Sequence, residues 1–170
     1  MIVRPDSPRI STIDARREMR ARVLIIEARF YEKISDGLAA GAVAALDGHG
    51  ASYDRIAVPG ALEIPQVLAQ AASAHLIRSG ENVGGKWDGV VALGCVIRGE
   101  TSHYDIVCNN ANHWLMQLSI EHAVPLGNGI LTVDNEAQAM ARVNADKGGD
   151  AVRACLRLIE LQREFEGQVV

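Results

Sequence analysis

Eight residues from Arg98 to Asp105, in the sequence RGETSHYD, carry several side chains that could take part in chemistry. Ser102 and Asp105 have the spacing that marks the start of a helix, which places His103 in its first turn. The positive end of the helix dipole disfavours an imidazolium there. Because a neutral imidazole can accept a proton and then return it, His103 is a candidate general base and acid. The alternative is a surface histidine with no part in a reaction.

The residues just before this helix could bind an anion. Backbone N–H groups at a helix N-terminus attract phosphate, and here they belong to Gly99, Glu100 and Thr101. The Glu100 carboxylate would repel phosphate unless its side chain points away. The segment is therefore either half of an anion site or a polar turn between a strand and a helix.

Two more segments with candidate site residues follow predicted strands. Phe30 comes directly after the first strand, where it either packs as a core residue or stacks on a heterocycle. Glu63 closes the segment PGALE at 59–63. Its carboxylate is either a solvated charge in the first turn of a helix or an acceptor for the hydroxyls of a sugar alcohol. With the 98–105 segment, these groups would suit a planar, polyhydroxylated, anionic ligand.

The elements that position these groups alternate between short apolar runs and longer amphipathic segments. The apolar runs predict strands at 22–28, 51–60, 88–97 and 126–133. The amphipathic segments predict helices from about 32 to the glycines after Asp47, from the first turn at Pro65 to about 78, and over 103–122, 135–143 and 148–165.

This alternation predicts an α/β fold: a three-layer α/β/α sandwich with a four-stranded parallel sheet. In such a sheet ligands bind outside the carboxyl ends of the strands, where the three segments should meet. On the helix over 103–122, helical spacing predicts a buried face of Val107, Ala111, Trp114, Leu115 and Leu118.

Composition restricts the class of protein. The chain has 170 residues and a formal net charge of −4, which argues against a nucleic-acid surface. Its longest apolar run, Val90–Ile97, is too short to span a bilayer. The three cysteines lack CxxC spacing, so free thiols in a reducing compartment are predicted, and no metal site is expected. We expect a cytoplasmic protein with an N-terminal arm over 1–20 and a single domain over 21–170.

One segment, GENVGGKW at 80–87, matches most of a phosphate-binding P-loop. It has Trp87 where that motif needs a Ser or Thr for Mg²⁺. It also leads from a helix into a strand, which reverses the order that a P-loop requires. A nucleoside triphosphate site is therefore not expected.

Five longer strings match a known family in order and spacing: ARFYEKISDGLAAGA, VPGALEIP, ALGCVIRGETSHYDIVCN, GNGILTVDNEAQA and DKGGDAV. Over about residues 20–165 the chain resembles the lumazine synthases, flavodoxin-like enzymes of the penultimate step of riboflavin biosynthesis. The resemblance implies that 5-amino-6-(D-ribitylamino)uracil condenses with 3,4-dihydroxy-2-butanone 4-phosphate. The products would be 6,7-dimethyl-8-ribityllumazine, phosphate and water, without a metal or cofactor.

The resemblance also implies roles for the matching residues. Phe30 would stack on the pyrimidine ring, Glu63 would bind ribityl hydroxyls, and His103 would transfer protons. The main-chain amides of Glu100 and Thr101 would hold the phosphate, with the Glu100 side chain turned outward. The remaining pocket residues would be Ala61, Leu62, Cys95, Val96 and Ile97, while Arg98 and Asp105 would be structural.

The same resemblance implies a homo-oligomer with active sites between subunits. Arg142 matches a phosphate-binding arginine that the adjacent subunit supplies. Asn128 stands where the family often has a phenylalanine that reaches into the neighbour's pocket, so its own contribution is open. The segment from Arg142 to Lys147 lacks the GTKAGN hinge associated with icosahedral shells, which favours a pentamer. Lys147 is either a second phosphate ligand or a charge at a helix start.

Two other classes of function fit the same features. One is a non-catalytic flavin or lumazine binder, which the presence of Phe30, Glu63 and His103 disfavours. The other is a mainly structural assembly protein. Asn109, Asn110 and Asn112 on one predicted helix would suit either a polar subunit interface or a solvated face.

Overall fold

The structure is a computed structural model that describes residues 19–79 and 82–167. Its centre is a parallel sheet of four strands: β1 (Arg22–Ala28), β2 (Ser52–Val58), β3 (Gly89–Ile97) and β4 (Leu126–Val133). The order β2-β1-β3-β4 matches the first four strands of the flavodoxin-like arrangement. Of the predicted N-terminal arm, residues 1–18 lie outside the described residues, and Met19 is buried against the core.

Helices cover both faces of the sheet: α1 (Glu32–Gly48), α2 (Glu63–Ser73), α3 (His103–Glu121), α4 (Glu136–Asn144) and α5 (Lys147–Gly167). Val23 and Ile25 of β1 pack in a core with α1 and α5, whereas the alternate residues Leu24 and Ile26 pack with α2 and α3. The predicted three-layer α/β/α sandwich is confirmed. Burial on both faces explains why the inner strands are continuous apolar runs. No helix within the described residues is long and apolar enough to cross a membrane.

α2 ends at Ser73, so the predicted end near 78 is wrong. His75 adopts a left-handed backbone conformation with φ of 55°, and the chain then turns so that Ile77 forms a bridge to Trp87. Both of these side chains are buried in the core beside α2. The helix is shorter than predicted because the burial of Ile77 in this core, paired with Trp87, decides the local conformation.

The buried face of α3 is narrower than predicted. Val107, Ala111 and Leu115 are buried at intervals of four residues, and Leu118 is partly buried. Trp114 is 47% exposed, so its predicted burial is wrong. It precedes Leu115 by one position, which turns its side chain by about 100° around the helix axis toward the surface.

Candidate active site

The polar loops of the sequence meet at the carboxyl edge of the sheet. β1 pairs in parallel with both β2 and β3, with Ala28 opposite Val58, so the segments after these strands emerge side by side. Between them lies an open cavity of about 420 Å³, a size typical of small-molecule sites. Most predicted site residues line it: Phe30, Ala61, Leu62, Glu63, Cys95, Val96, Ile97, Thr101 and His103.

Phe30 lines this cavity while remaining mostly open to solvent. Its side chain is 72% exposed, and its ring meets the Tyr31 ring edge-on, with 5.0 Å between centroids. Tyr31, by contrast, packs against the core beside α1. The interpretation of Phe30 as a core residue is therefore wrong, and its ring has a face on which a heterocycle can stack.

The connection from β2 to α2 places a carboxylate beside this aromatic ring. The Glu63 N–H donates to the Gly60 carbonyl at 3.3 Å, and this tight turn begins α2 at Glu63. The half-buried carboxylate therefore lies at the positive end of the helix dipole and also lines the cavity. No described residue donates a hydrogen bond to it, which leaves both oxygens able to accept from a ligand.

The connection from β3 to α3 contributes an imidazole and backbone amides. α3 begins at His103 as predicted, but the Ser102 side chain makes no capping hydrogen bond. Instead, the His103 N–H donates to Thr101 Oγ1 at 3.3 Å. Among the described residues, no acceptor binds the amides of Glu100 and Thr101. Glu100 is exposed and lies outside the cavity lining, so the predicted site residues here are not all brought together.

Arg98 connects this loop to the elements around it. Its guanidinium lies 4.1 Å from the centre of the Tyr104 ring, 3.6 Å from Asp105 and 3.3 Å from Asp134. These contacts agree with a structural role for Arg98 and Asp105. Burial, with a contribution from Cys108, raises the pKa of the Tyr104 hydroxyl, so this phenol stays protonated near neutral pH.

The thiol in the cavity is not activated. Burial raises the pKa of Cys95 to about 11, so it is protonated near neutral pH, whereas a nucleophilic cysteine needs a lowered pKa. Burial likewise raises the pKa of Cys155 to about 12 in the core between α5 and the sheet. Cys95 therefore contributes a small apolar surface to the cavity.

Asn128 and Arg142 do not line this cavity. They line a separate hollow of about 330 Å³ beside β4, together with Lys147. The Asn128 side-chain amide donates to Asn112 at 2.6 Å. Lys147 begins α5 and pairs with Asp150 at 2.9 Å, whereas no carboxylate among the described residues pairs with Arg142. A single chain therefore keeps these two predicted residues apart from the others.

Tyr104 and Val107 also line the first cavity, although the sequence did not predict them there. Val107 lies four residues after His103, and this spacing on one helix face was a signal that could have identified it. Tyr104 gave no such signal, because its orientation depends on the stacking of Arg98 over its ring.

An α/β sandwich with this combination of groups at its carboxyl edge belongs to the class of parallel-sheet domains that bind small polar ligands. Residues 20–163 match the sequence profile of 6,7-dimethyl-8-ribityllumazine synthase. The enzyme of that name from Agrobacterium fabrum is 50% identical over 151 residues, covering 87% of this chain and 99% of that protein. The chain therefore belongs to the 6,7-dimethyl-8-ribityllumazine synthase family, and the resemblance seen in the sequence is confirmed.

Two further relatives of the same name extend this match. The protein from Nitrobacter hamburgensis is 51% identical over 148 residues, covering 85% of this chain and 88% of that protein. The protein from Afipia carboxidovorans is 46% identical over 163 residues, covering 94% of this chain and 97% of that protein. The similarity thus extends over nearly the whole length of each relative.

Proposed function

We propose that this protein is a transferase that condenses 5-amino-6-(D-ribitylamino)uracil with 3,4-dihydroxy-2-butanone 4-phosphate. The products are 6,7-dimethyl-8-ribityllumazine, phosphate and water, and the reaction is the penultimate step of riboflavin biosynthesis. Two observations support the proposal: the chain belongs to this family, and Phe30, Glu63 and His103 line the same cavity. The aromatic face suits the pyrimidine ring, the carboxylate suits the polyol, and the imidazole suits the proton transfers of this reaction.

The pyrimidine substrate binds between the loops after β1 and β2. Its ring stacks on the exposed face of Phe30, and its ribityl hydroxyls donate to the Glu63 carboxylate. Both side chains line the cavity and have room for these contacts. The other residues around this substrate are Ala61, Leu62, Cys95, Val96 and Ile97.

The phosphate of the second substrate binds at the start of α3. The amides of Glu100 and Thr101 donate to it, and the exposure of Glu100 allows its carboxylate to point away. Arg142 of an adjacent subunit adds a positive charge. Lys147, already paired with Asp150, serves mainly as a charge at the start of α5.

His103 transfers protons during the chemical steps. An amine of the pyrimidine attacks the ketone carbon, and water leaves as the C=N bond forms. Loss of a proton beside this imine then expels phosphate and leaves an enol, which becomes a ketone when its terminal carbon takes up a proton and its hydroxyl loses one. The second amine attacks the carbonyl that results and closes the ring with loss of another water. Holding the two substrates together in one cavity lowers the reaction barrier, since well-oriented intramolecular reactions can gain about 7–11 kcal/mol.

The active protein is a homo-oligomer with sites between subunits, and a pentamer is favoured. Trp114, Met116 and Ile120 of α3 are 47%, 52% and 71% exposed, which suits burial against another chain. β4 lies at an end of the strand order, so its outer edge is unpaired within the described chain. The hollow beside this strand contains Arg142, which has no carboxylate partner among the described residues.

We infer a cytoplasmic location from the state of the cysteines. Cys95, Cys108 and Cys155 are free thiols, which is usual in a reducing compartment.

The activity is tested by mixing the purified protein with both substrates and following the fluorescence of the lumazine product. We expect product only when both substrates are present. A folded oligomer that forms no lumazine would contradict the proposal. Tight riboflavin binding by that inactive protein would instead indicate a non-catalytic binder.

A further inference from the structure

Glu27 is a buried carboxylate that the proposed reaction does not use. It lies near the end of β1, and its side chain is 6% exposed. A buried charge is costly unless it is paired and hydrogen-bonded. Arg55 of β2 donates Nε and a terminal nitrogen to the two Glu27 oxygens, each at 3.0 Å. Arg29 donates to the same carboxylate at 3.3 Å.

Arg29 extends this pairing into the loop that follows β1. Its other terminal nitrogen donates to Asp36, one turn into α1. The hydrogen bond to Asp36 and the charge of Glu27 raise the pKa of the Arg29 guanidinium. The Arg29 backbone N–H also donates to the Val58 carbonyl at 3.0 Å. One residue thus connects β1, β2 and α1 directly before Phe30.

Phe30 itself is held by little side-chain packing. It is 72% exposed, and its one aromatic contact among the described residues is with Tyr31. On the far side of the loop, the Ser35 hydroxyl donates to the Ala28 carbonyl at 3.1 Å. Because packing does not fix the Phe30 ring, its direction depends on the backbone that these contacts restrain.

We propose that Glu27 and Arg29 are positioning residues, which hold the loop after β1 so that the Phe30 ring meets the pyrimidine substrate. This inference rests on the proposed function, because it needs Phe30 to stack on that substrate. Supporting residues of this kind reduce the cost of ordering a binding group.

The test compares Arg29→Gln with Arg55→Gln. Both changes remove a cation from Glu27, but only the first releases the loop. We expect Arg29→Gln to raise the KM for the ribitylaminouracil by about three- to tenfold, which corresponds to the loss of an aromatic stacking interaction. The KM for the butanone phosphate should not change. Arg55→Gln should lower the Tm without changing either KM. Equal effects of both variants on the first KM would overturn the inference.

A double-mutant cycle with Phe30→Ala separates positioning from a general structural effect. When Phe30 is absent, Arg29→Gln should cause no further rise in the KM for the pyrimidine. Additive effects would overturn the inference. If Arg29→Gln does not fold, Asp36→Asn replaces it, because the Asp36 side chain is 67% exposed and holds only the outer end of Arg29. The wild type reports on the proposed function separately, since its failure to form lumazine would contradict that function.

Discussion

The proposed proton carrier, His103, lies in the first turn of α3 and in the lining of the cavity. No described residue hydrogen-bonds its ring, so both ring nitrogens are available to a ligand. Its neighbours in the lining are poorly suited to this task. Burial raises the pKa of both Tyr104 and Cys95, so neither gives up a proton near neutral pH.

Replacing His103 by Ala should lower kcat by about 10²–10⁴-fold, the usual contribution of a general acid or base, with little change in either KM. Steady-state kinetics of lumazine formation measures this. His113→Ala is the matched control, because it removes an exposed imidazole from the same helix outside the cavity. A decrease in kcat of less than about tenfold for His103→Ala would mean that most of the rate enhancement comes from substrate proximity.

Replacing Cys95 by Ser should keep kcat within about a factor of ten, because a thiol protonated at neutral pH is not a nucleophile. The pKa of Cys95 is raised to about 11, so the wild-type rate should show no inflection from this thiol below that pH. The measurement is the pH profile of kcat for both proteins. A wild-type inflection near pH 8 that disappears in the variant would show that the thiolate takes part.

At the level of elements, the sequence predicted the strands to within two residues, because β1 and β3 are apolar runs that are buried on both faces of the sheet. It failed at the end of α2, where Ile77 pairs with Trp87 and both side chains are buried in the core with β1 and β3. Helical spacing predicted too wide a buried face on α3 and so included Trp114. Local patterns therefore identified the elements, whereas long-range packing decided their ends and exposed sides.

The contact between β4 and α5 should tolerate no added side chain. A Cβ at Gly127 would lie 1.9 Å from the Ala151 carbonyl oxygen, and neither backbone can yield easily. We expect Gly127→Ala to lower the free energy of unfolding by about 1–3 kcal/mol or more, as overpacking does. Gly48→Ala is the control, because nothing lies within 4 Å of a Cβ there. Urea unfolding compares them, and equal stability of the two variants would refute this packing.

At the level of the whole molecule, the candidate residues divide between two places. The cavity at the carboxyl edge contains Phe30, Glu63 and His103, while the hollow beside β4 contains Asn128 and Arg142. The sequence could predict the first group from topology alone, because parallel strands bring their following loops together. Topology within one chain could not assign the second group. Only the family resemblance relates this second group to the site, as residues that an adjacent subunit would supply.

If each site is shared between two subunits, two inactive variants should restore activity when they are combined in one oligomer. In a closed ring, each site would combine His103 of one subunit with Arg142 of the next. His103→Ala and Arg142→Ala should each form nearly inactive oligomers. Oligomers refolded from an equal mixture should recover about a quarter of the wild-type activity, since one neighbour arrangement in four restores both residues. Light scattering checks that the mixed particles have the mass of five chains, and mixing without refolding is the control. Mixed oligomers with no recovered activity would show that the two residues do not serve one site.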